Sequence, residues 1–195
     1  MSASDTARRY SQYLDCHLSN DTLKTEILEP MLSKVINTED FEKFADWATL
    51  TTAFDEEETA RQLRLLRRYV MAHIIIRDIN RHSDLAEVTH TITLFADFVI
   101  NIGLNFAYAY YQDMYGTPIG RHTHTPQQLT VIAMGKMGGY ELNVSSDIDL
   151  IFTYPESGDT NGKRERSNQE FFIKVGKKLI TLLNDITADG QVFRV

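Results

Sequence analysis

The sequence predicts an α+β fold from three observations. Apolar stripes of helical period fill the first 115 residues, short β-branched runs bounded by glycine follow residue 128, and the composition shifts between the two. Nine of the ten glycines and three of the four prolines come after Tyr115. Residues 1–115 hold 11 Lys/Arg against 18 Asp/Glu, and residues 116–195 hold 9 against 9, so the net charge of −7 resides in the helical part. The chain therefore reads as a helical region 1–115, a linker 116–128 and a second unit 129–195.

Within the first region, weaker helical patterns cover 6–17, 22–35 and 38–54, with Pro30 a mild objection in the second. From 56 to about 82, Leu63, Leu66, Val70 and Ile74 recur at helical spacing without internal Gly or Pro. The next helix carries Leu85, Val88, Ile92, Phe95, Val99, Ile102, Phe106 and Tyr110 on one stripe, with Asp84-x-x-Glu87 offering a capping box, and should run antiparallel to its predecessor.

In the second unit, 129–134 is a β-branched apolar run stopped by Gly135, which predicts a buried strand. A brief turn or helix over 136–143 leads to a second strand, 147–154, and 155–166 is a polar excursion. Ser167-x-x-Glu170 opens a helix whose Phe171, Val175, Leu179 and Leu182 face the sheet, and 191–195 reads as a further strand after Asp189-Gly190.

Composition bounds the function. A chain of 195 residues, 43% hydrophobic, builds a sizeable core without disulfides or structural metal. Cys16 is the single cysteine, which excludes an intramolecular disulfide and any Cys-x-x-Cys pair and suits a reducing cytoplasm. The polar amino terminus is no secretory signal, and the longest uncharged run, 98–112, is too short for a bilayer. The acidic balance argues against nucleic acid as a partner, and no membrane contact is expected.

The chemistry concentrates in fifteen residues. Carboxylates two apart on a strand share a face, so Asp147 and Asp149 stand side by side while Ile148 points inward. Their mutual repulsion is relieved by a divalent cation, and hard oxygen ligands suit Mg²⁺, with Mn²⁺ as the alternative, holding a phosphate. Just upstream, the loop of Gly135, Lys136, Gly138 and Gly139 follows a strand and lets backbone N–H groups approach phosphate oxygens. Lys136 offsets phosphate charge, and Ser145 or Ser146 donates to a phosphate oxygen.

Gly135-Lys-Met-Gly-Gly-Tyr-Glu-Leu-Asn-Val-Ser-Ser-Asp-Ile-Asp-Leu-Ile-Phe152 resembles the signature of the nucleotidyltransferase superfamily typified by DNA polymerase β. More narrowly it resembles the glutamine synthetase adenylyltransferase family, whose bifunctional enzymes attach AMP to glutamine synthetase and remove it. The run from Leu63 to Arg68 with Arg77-Asp78 resembles that family's helical prelude. The segment 187–195 resembles the approach to the next catalytic strand of its amino-terminal copy. The likeness covers roughly residues 60–195.

It implies a mixed β-sheet with flanking helices, an incomplete nucleotidyltransferase fold, and a role in nitrogen assimilation. The activity implied is the adenylyl-removing one: phosphorolysis of AMP-tyrosine on glutamine synthetase, giving ADP. Asp147 and Asp149 would be the catalytic, metal-binding pair, and Gly135, Lys136, Gly138, Gly139, Ser145 and Ser146 the phosphate and nucleotide contacts. Partners implied are adenylylated glutamine synthetase, nucleotide, inorganic phosphate and, through other parts of a longer chain, a PII-type signalling protein. The superfamily's third carboxylate is expected immediately after Val195, so the chain reads as a fragment inactive alone. A binding or regulatory module and a small nucleotidyltransferase for an antibiotic or RNA end are the alternatives.

The remaining features read more simply. His122-Thr-His124 is a solvated loop, the series Arg61, Arg64, Arg67 and Arg68 pairs along its helix with Glu56 to Glu58, and Trp47 and Tyr108, Tyr110 and Tyr111 are core or helix-packing residues. Glu141 either orients a neighbouring group or lies on a helix surface.

Overall fold

A computed structural model describes residues 2–20, 23–41 and 55–195. The helix expected over 6–17 is two: α1 (Ala3–Arg8), capped by Ser2, and α2 (Gln12–Ser19). The break lies at Ser11, whose hydroxyl accepts from the Leu14 N–H and starts a new helix instead of continuing the old one. The helix expected over 22–35 shrinks to α3 (Thr25–Leu28) followed by a 3₁₀ turn, Glu29–Met31, because Pro30 lacks the N–H that a longer α-helix needs. Helix α4 (Thr38–Phe41) begins where the third pattern does; its continuation to 54, with Trp47, lies outside the described residues.

Helices α5 (Glu56–Ile79) and α6 (Leu85–Tyr115) are the scaffold. Asp55 and Asp84 cap them, accepting from the N–H groups of Glu58 and Glu87. Glu87 completes no reciprocal box: its carboxylate takes the Arg77 guanidinium, at 2.8 and 3.0 Å, and ties the start of α6 to the end of α5. Along the α6 stripe, Ile92, Phe95, Val99 and Phe106 are buried, but Leu85 is 76% exposed because it precedes the packed part of the helix. By length and composition α6 could cross a membrane; half of its most apolar stretch is buried within this fold.

The expected linker 116–128 is instead built into the fold. Strand β1 (Pro118–Gly120) pairs antiparallel with β4 (Gly158–Thr160), which lies in the segment read as a polar excursion. Strand β2 (Thr130–Met134) pairs antiparallel with β3 (Asp149–Thr153), in the register Thr130↔Thr153 to Met134↔Asp149. The described strands thus form two antiparallel ladders rather than one mixed sheet, within an α+β fold. Nor is β2 buried on both sides: Val131 and Ala133 turn toward the core, while Thr130, Ile132 and Met134 are exposed, as one face of a two-stranded ladder must be when helices cover only the other.

One turn, α7 (Gly135–Gly138), follows β2, and α8 (Asn168–Asn184) closes the structure. Phe171, Val175, Leu179 and Leu182 of α8 are buried as their spacing predicts, and the helix packs most extensively on α6. Gly103 permits that approach, since a Cβ there would sit 2.7 Å from Leu179 Cδ1. Residues 191–195 are not a strand: the N–H groups of Val192 and Phe193 both bond to the Leu183 carbonyl, and a single backbone bond, Ile148 N–H to Arg194 O at 2.9 Å, reaches β3's approach. A continuous core gathers Phe41, Leu66, Phe95, Ile148, Leu179 and Phe193, so the helical region and the strands bury one another's apolar surface.

Candidate functional site

The site forms where β2 and β3 end side by side. Because Met134 pairs with Asp149, the residue after β2 must turn away at the level of the Asp149 carboxylate. Gly135 makes that turn at φ +55°, and a Cβ on it would come within 2.7 Å of Asp149 Oδ2. Only glycine leaves both the left-handed backbone and the carboxylate undisturbed. Gly138 is required for another reason: a Cβ there would lie 2.7 Å from the Ala133 carbonyl. Gly139 has ordinary space around it, and Tyr140 beyond it holds φ +59° with its ring stacked near His90, 6.1 Å between centroids.

Asp147 and Asp149 are both exposed and flank Ile148, which is 1% exposed, so the alternation expected from the sequence holds across these three residues. The ladder itself starts only at Asp149; Asp147 lies on the extended approach. Lys136 is exposed and near enough for its ammonium to help lower the Asp147 pKa. The larger cause is Arg194, whose Nε and Nη2 meet the two Asp147 oxygens at 2.6 and 2.5 Å, and this fork holds the carboxyl below the usual carboxylate range.

The two serines are organised by a residue that the motif reading passed over. Asn143 Oδ1 accepts from both the N–H and the hydroxyl of Ser145, each at 3.0 Å, and the Asn143 N–H donates to Ser146 Oγ at 3.1 Å. Ser145's proton is therefore committed within the turn, whereas Ser146 accepts there and keeps its own proton to donate. Ser145, Ser146, Asp147 and Arg194 line one hollow of about 170 Å³ together with Arg67 and Gln191.

The structure thus brings Gly135 against Asp149, Lys136 near Asp147, and both serines beside Asp147. Two exposed hard carboxylates flanking Ile148 and a glycine turn are of the kind that suits a divalent cation with a phosphate, but among the described residues no third His, Cys, Asp or Glu joins them. Arg194 and Asn143 were missed. Arg194 gives no local signal, being 47 positions from its partner, while Asn before Val-Ser-Ser could have been read as a turn residue.

The arginines of α5 also act differently from expectation. Arg61 pairs with Glu58 on its own helix at 2.7 Å, but Arg64 donates to the carbonyls of Gly190 and Asp185, Arg67 to that of Val192, and Arg68 to the Asp189 carboxylate. Residues 185–192 lie against this helix surface, and their carbonyls and the Asp189 carboxylate take the guanidinium groups in place of a second row of helical ion pairs. His122 and His124 are exposed, and Glu141 is exposed with its N–H bonded to the Lys136 carbonyl.

Comparison with known proteins agrees in kind. The family model described as glutamate-ammonia ligase adenylyltransferase matches residues 7–195. A bifunctional glutamine synthetase adenylyltransferase/adenylyl-removing enzyme of Neisseria meningitidis serogroup B is 71% identical over 98% of this chain and 21% of its own length. The proteins of that name in Chromobacterium violaceum and Pseudomonas aeruginosa are 50% and 47% identical, over 95% and 76% of this chain and 20% and 15% of theirs. The chain spans about a fifth of the length of the relatives that it matches most fully. On the strength of these matches, the chain belongs to the glutamate-ammonia ligase adenylyltransferase family.

Proposed function

We propose that this chain carries the nucleotide-handling core of an adenylyl-removing domain, which transfers AMP from a tyrosine of glutamine synthetase to inorganic phosphate. The observation that carries the reading is the packing of the Gly135 turn against the Asp149 carboxylate, with Asp147 and Lys136 beside it. Phosphate loop and carboxylate pair then address the same phosphorus centre. The choice of removal over attachment rests on the resemblance of 187–195 to the amino-terminal of the family's two catalytic copies.

Asp147 and Asp149 would hold Mg²⁺ or Mn²⁺, which when bound supplies positive charge to the phosphate oxygens. Lys136 would add charge on the side of Asp147, and the Ser146 hydroxyl, which accepts from the Asn143 N–H, keeps its own proton for a phosphate oxygen. An oxygen of inorganic phosphate attacks the phosphorus, the bond from phosphorus to the tyrosine oxygen breaks, and ADP and tyrosine result. The leaving phenolate, with a parent pKa near 10, departs far more readily than an alkoxide. The nucleophile is already an anion at neutral pH, so the step makes little demand for a general base.

Titration with MnCl₂ and ADP tests the reading. Saturable binding of both is expected, with Asp149→Asn weakening each by at least about tenfold; heat of dilution alone from the unaltered chain refutes it. The second reading, a binding module, is favoured by the lack of a third ligand among the described residues. Under either reading the isolated chain is expected to release little or no ADP from adenylylated glutamine synthetase. Partner binding that survives Asp147→Asn with Asp149→Asn, in a chain that takes up no nucleotide, would select the module.

A further inference from the structure

Asp147 is the carboxylate of the site that already has a cation. Arg194 lays one planar fork on both of its oxygens, at 2.6 and 2.5 Å, so a divalent ion approaching Asp147 meets a positive charge and two engaged acceptors. The pair is nevertheless easy to open: the Arg194 side chain is 70% exposed and that of Asp147 47%. Exposed pairs of this kind are worth little because water competes for both partners.

The backbone under Arg194, by contrast, is held from several sides. Its carbonyl accepts from the Ile148 N–H at 2.9 Å, the preceding residues bond to the Leu183 carbonyl, and Arg67 Nε holds the Val192 carbonyl at 2.8 Å. The Phe193 ring lies 5.3 Å from that of Phe95 in the core. A guanidinium released from Asp147 therefore stays on the wall of the hollow that Ser145, Ser146 and Arg67 also line. Two guanidinium groups and a free hydroxyl proton around one space match the oxygens of a phosphate group.

We infer that Arg194 is a nucleotide-binding residue held in reserve: it is the counter-ion of Asp147 in the resting chain, and its guanidinium passes to a phosphate oxygen of the nucleotide once Asp147 turns to a divalent cation. This rests on the function proposed above and adds a residue which that reading does not contain. It also fixes an order, since the cation takes Asp147 before the Arg194 guanidinium is free for the phosphate.

The test is Mn²⁺ and ADP binding to the chain with Arg194→Ala, followed by electron paramagnetic resonance of free Mn²⁺ and by calorimetry. Removing the counter-ion should tighten Mn²⁺ alone by about two- to fivefold. Removing a bidentate phosphate contact should weaken ADP at saturating Mn²⁺ by about tenfold. Arg194→Lys, which keeps the charge but loses the fork, should fall between in both. A merely structural role would weaken both ligands together, and that result, or no change in either, or a shift in only one, overturns the inference. An unaltered chain that takes up no Mn²⁺ overturns this inference and the proposed function alike. Mn²⁺ binding that Asp149→Asn abolishes, without opposite shifts at Arg194, overturns this inference alone.

Discussion

Gly135 is the residue on which the site's geometry turns. Its φ of +55° costs an alanine about 1 kcal/mol, and the added methyl would displace the Asp149 carboxylate, because the atom it meets is the movable end of that side chain. Gly135→Ala should therefore lower stability by about 1 kcal/mol and reduce Mn²⁺ and ADP affinity by more than about tenfold. Thermal melting and titration on the same sample check both; a variant that melts lower but binds as before would detach the glycine from the site. Gly135, Asp147 and Asp149 were legible because their chemistry is local, a strand, a turn and an alternation within fifteen residues. Arg194 was not, since nothing near it in sequence marks a guanidinium that will meet a carboxylate 47 positions away.

Among the elements, the α5–α6 pair depends on one buried ion pair at its turn. Arg77 reaches the Glu87 carboxylate and the carbonyls of Leu32 and His82, with little exposure of either charged group. Arg77→Met would leave Glu87 without its counter-charge and two carbonyls without a donor, a loss of about 3–5 kcal/mol readable in urea denaturation. A loss under about 1 kcal/mol would mean that water replaces the guanidinium. The long helices were legible from period and cap, because each buries a broad stripe. Helix ends in the first 41 residues were not, because Ser11 decides one by a hydrogen bond it makes and Pro30 another by one it cannot make, and the apolar spacing records neither. The strands β1 and β4, three residues each, carry too short an alternation to stand out from a linker.

For the whole molecule, acid should be the destabilising direction. His73 is buried, its Nε2 within 2.9 Å of the Met31 carbonyl and 3.1 Å of the Lys34 carbonyl, and burial lowers its pKa below the ordinary 6.5. The folded chain thus resists a proton that the unfolded chain accepts near pH 6.5, so stability is present above that pH and declines as the pH falls below it. His17, partly buried, shifts in the same direction and for the same first cause. Melting temperatures at pH 7.5 and 5.0 should differ in the unaltered chain and converge in His73→Gln; an equal acid loss in both would assign the effect to other groups.

The sequence by itself determined the α+β class, the two long helices, the packed face of α8 and the closeness of the glycine loop to the carboxylates, since each follows from a period or spacing within one segment. Tertiary structure alone decided that the helical region and the strands share a core, that residues 118–120 enter a ladder, that the α5 arginines grip 185–192, and that Asp147 already holds a guanidinium. These are pairings between distant segments, and they depend on which surfaces remain uncovered once the local elements have formed.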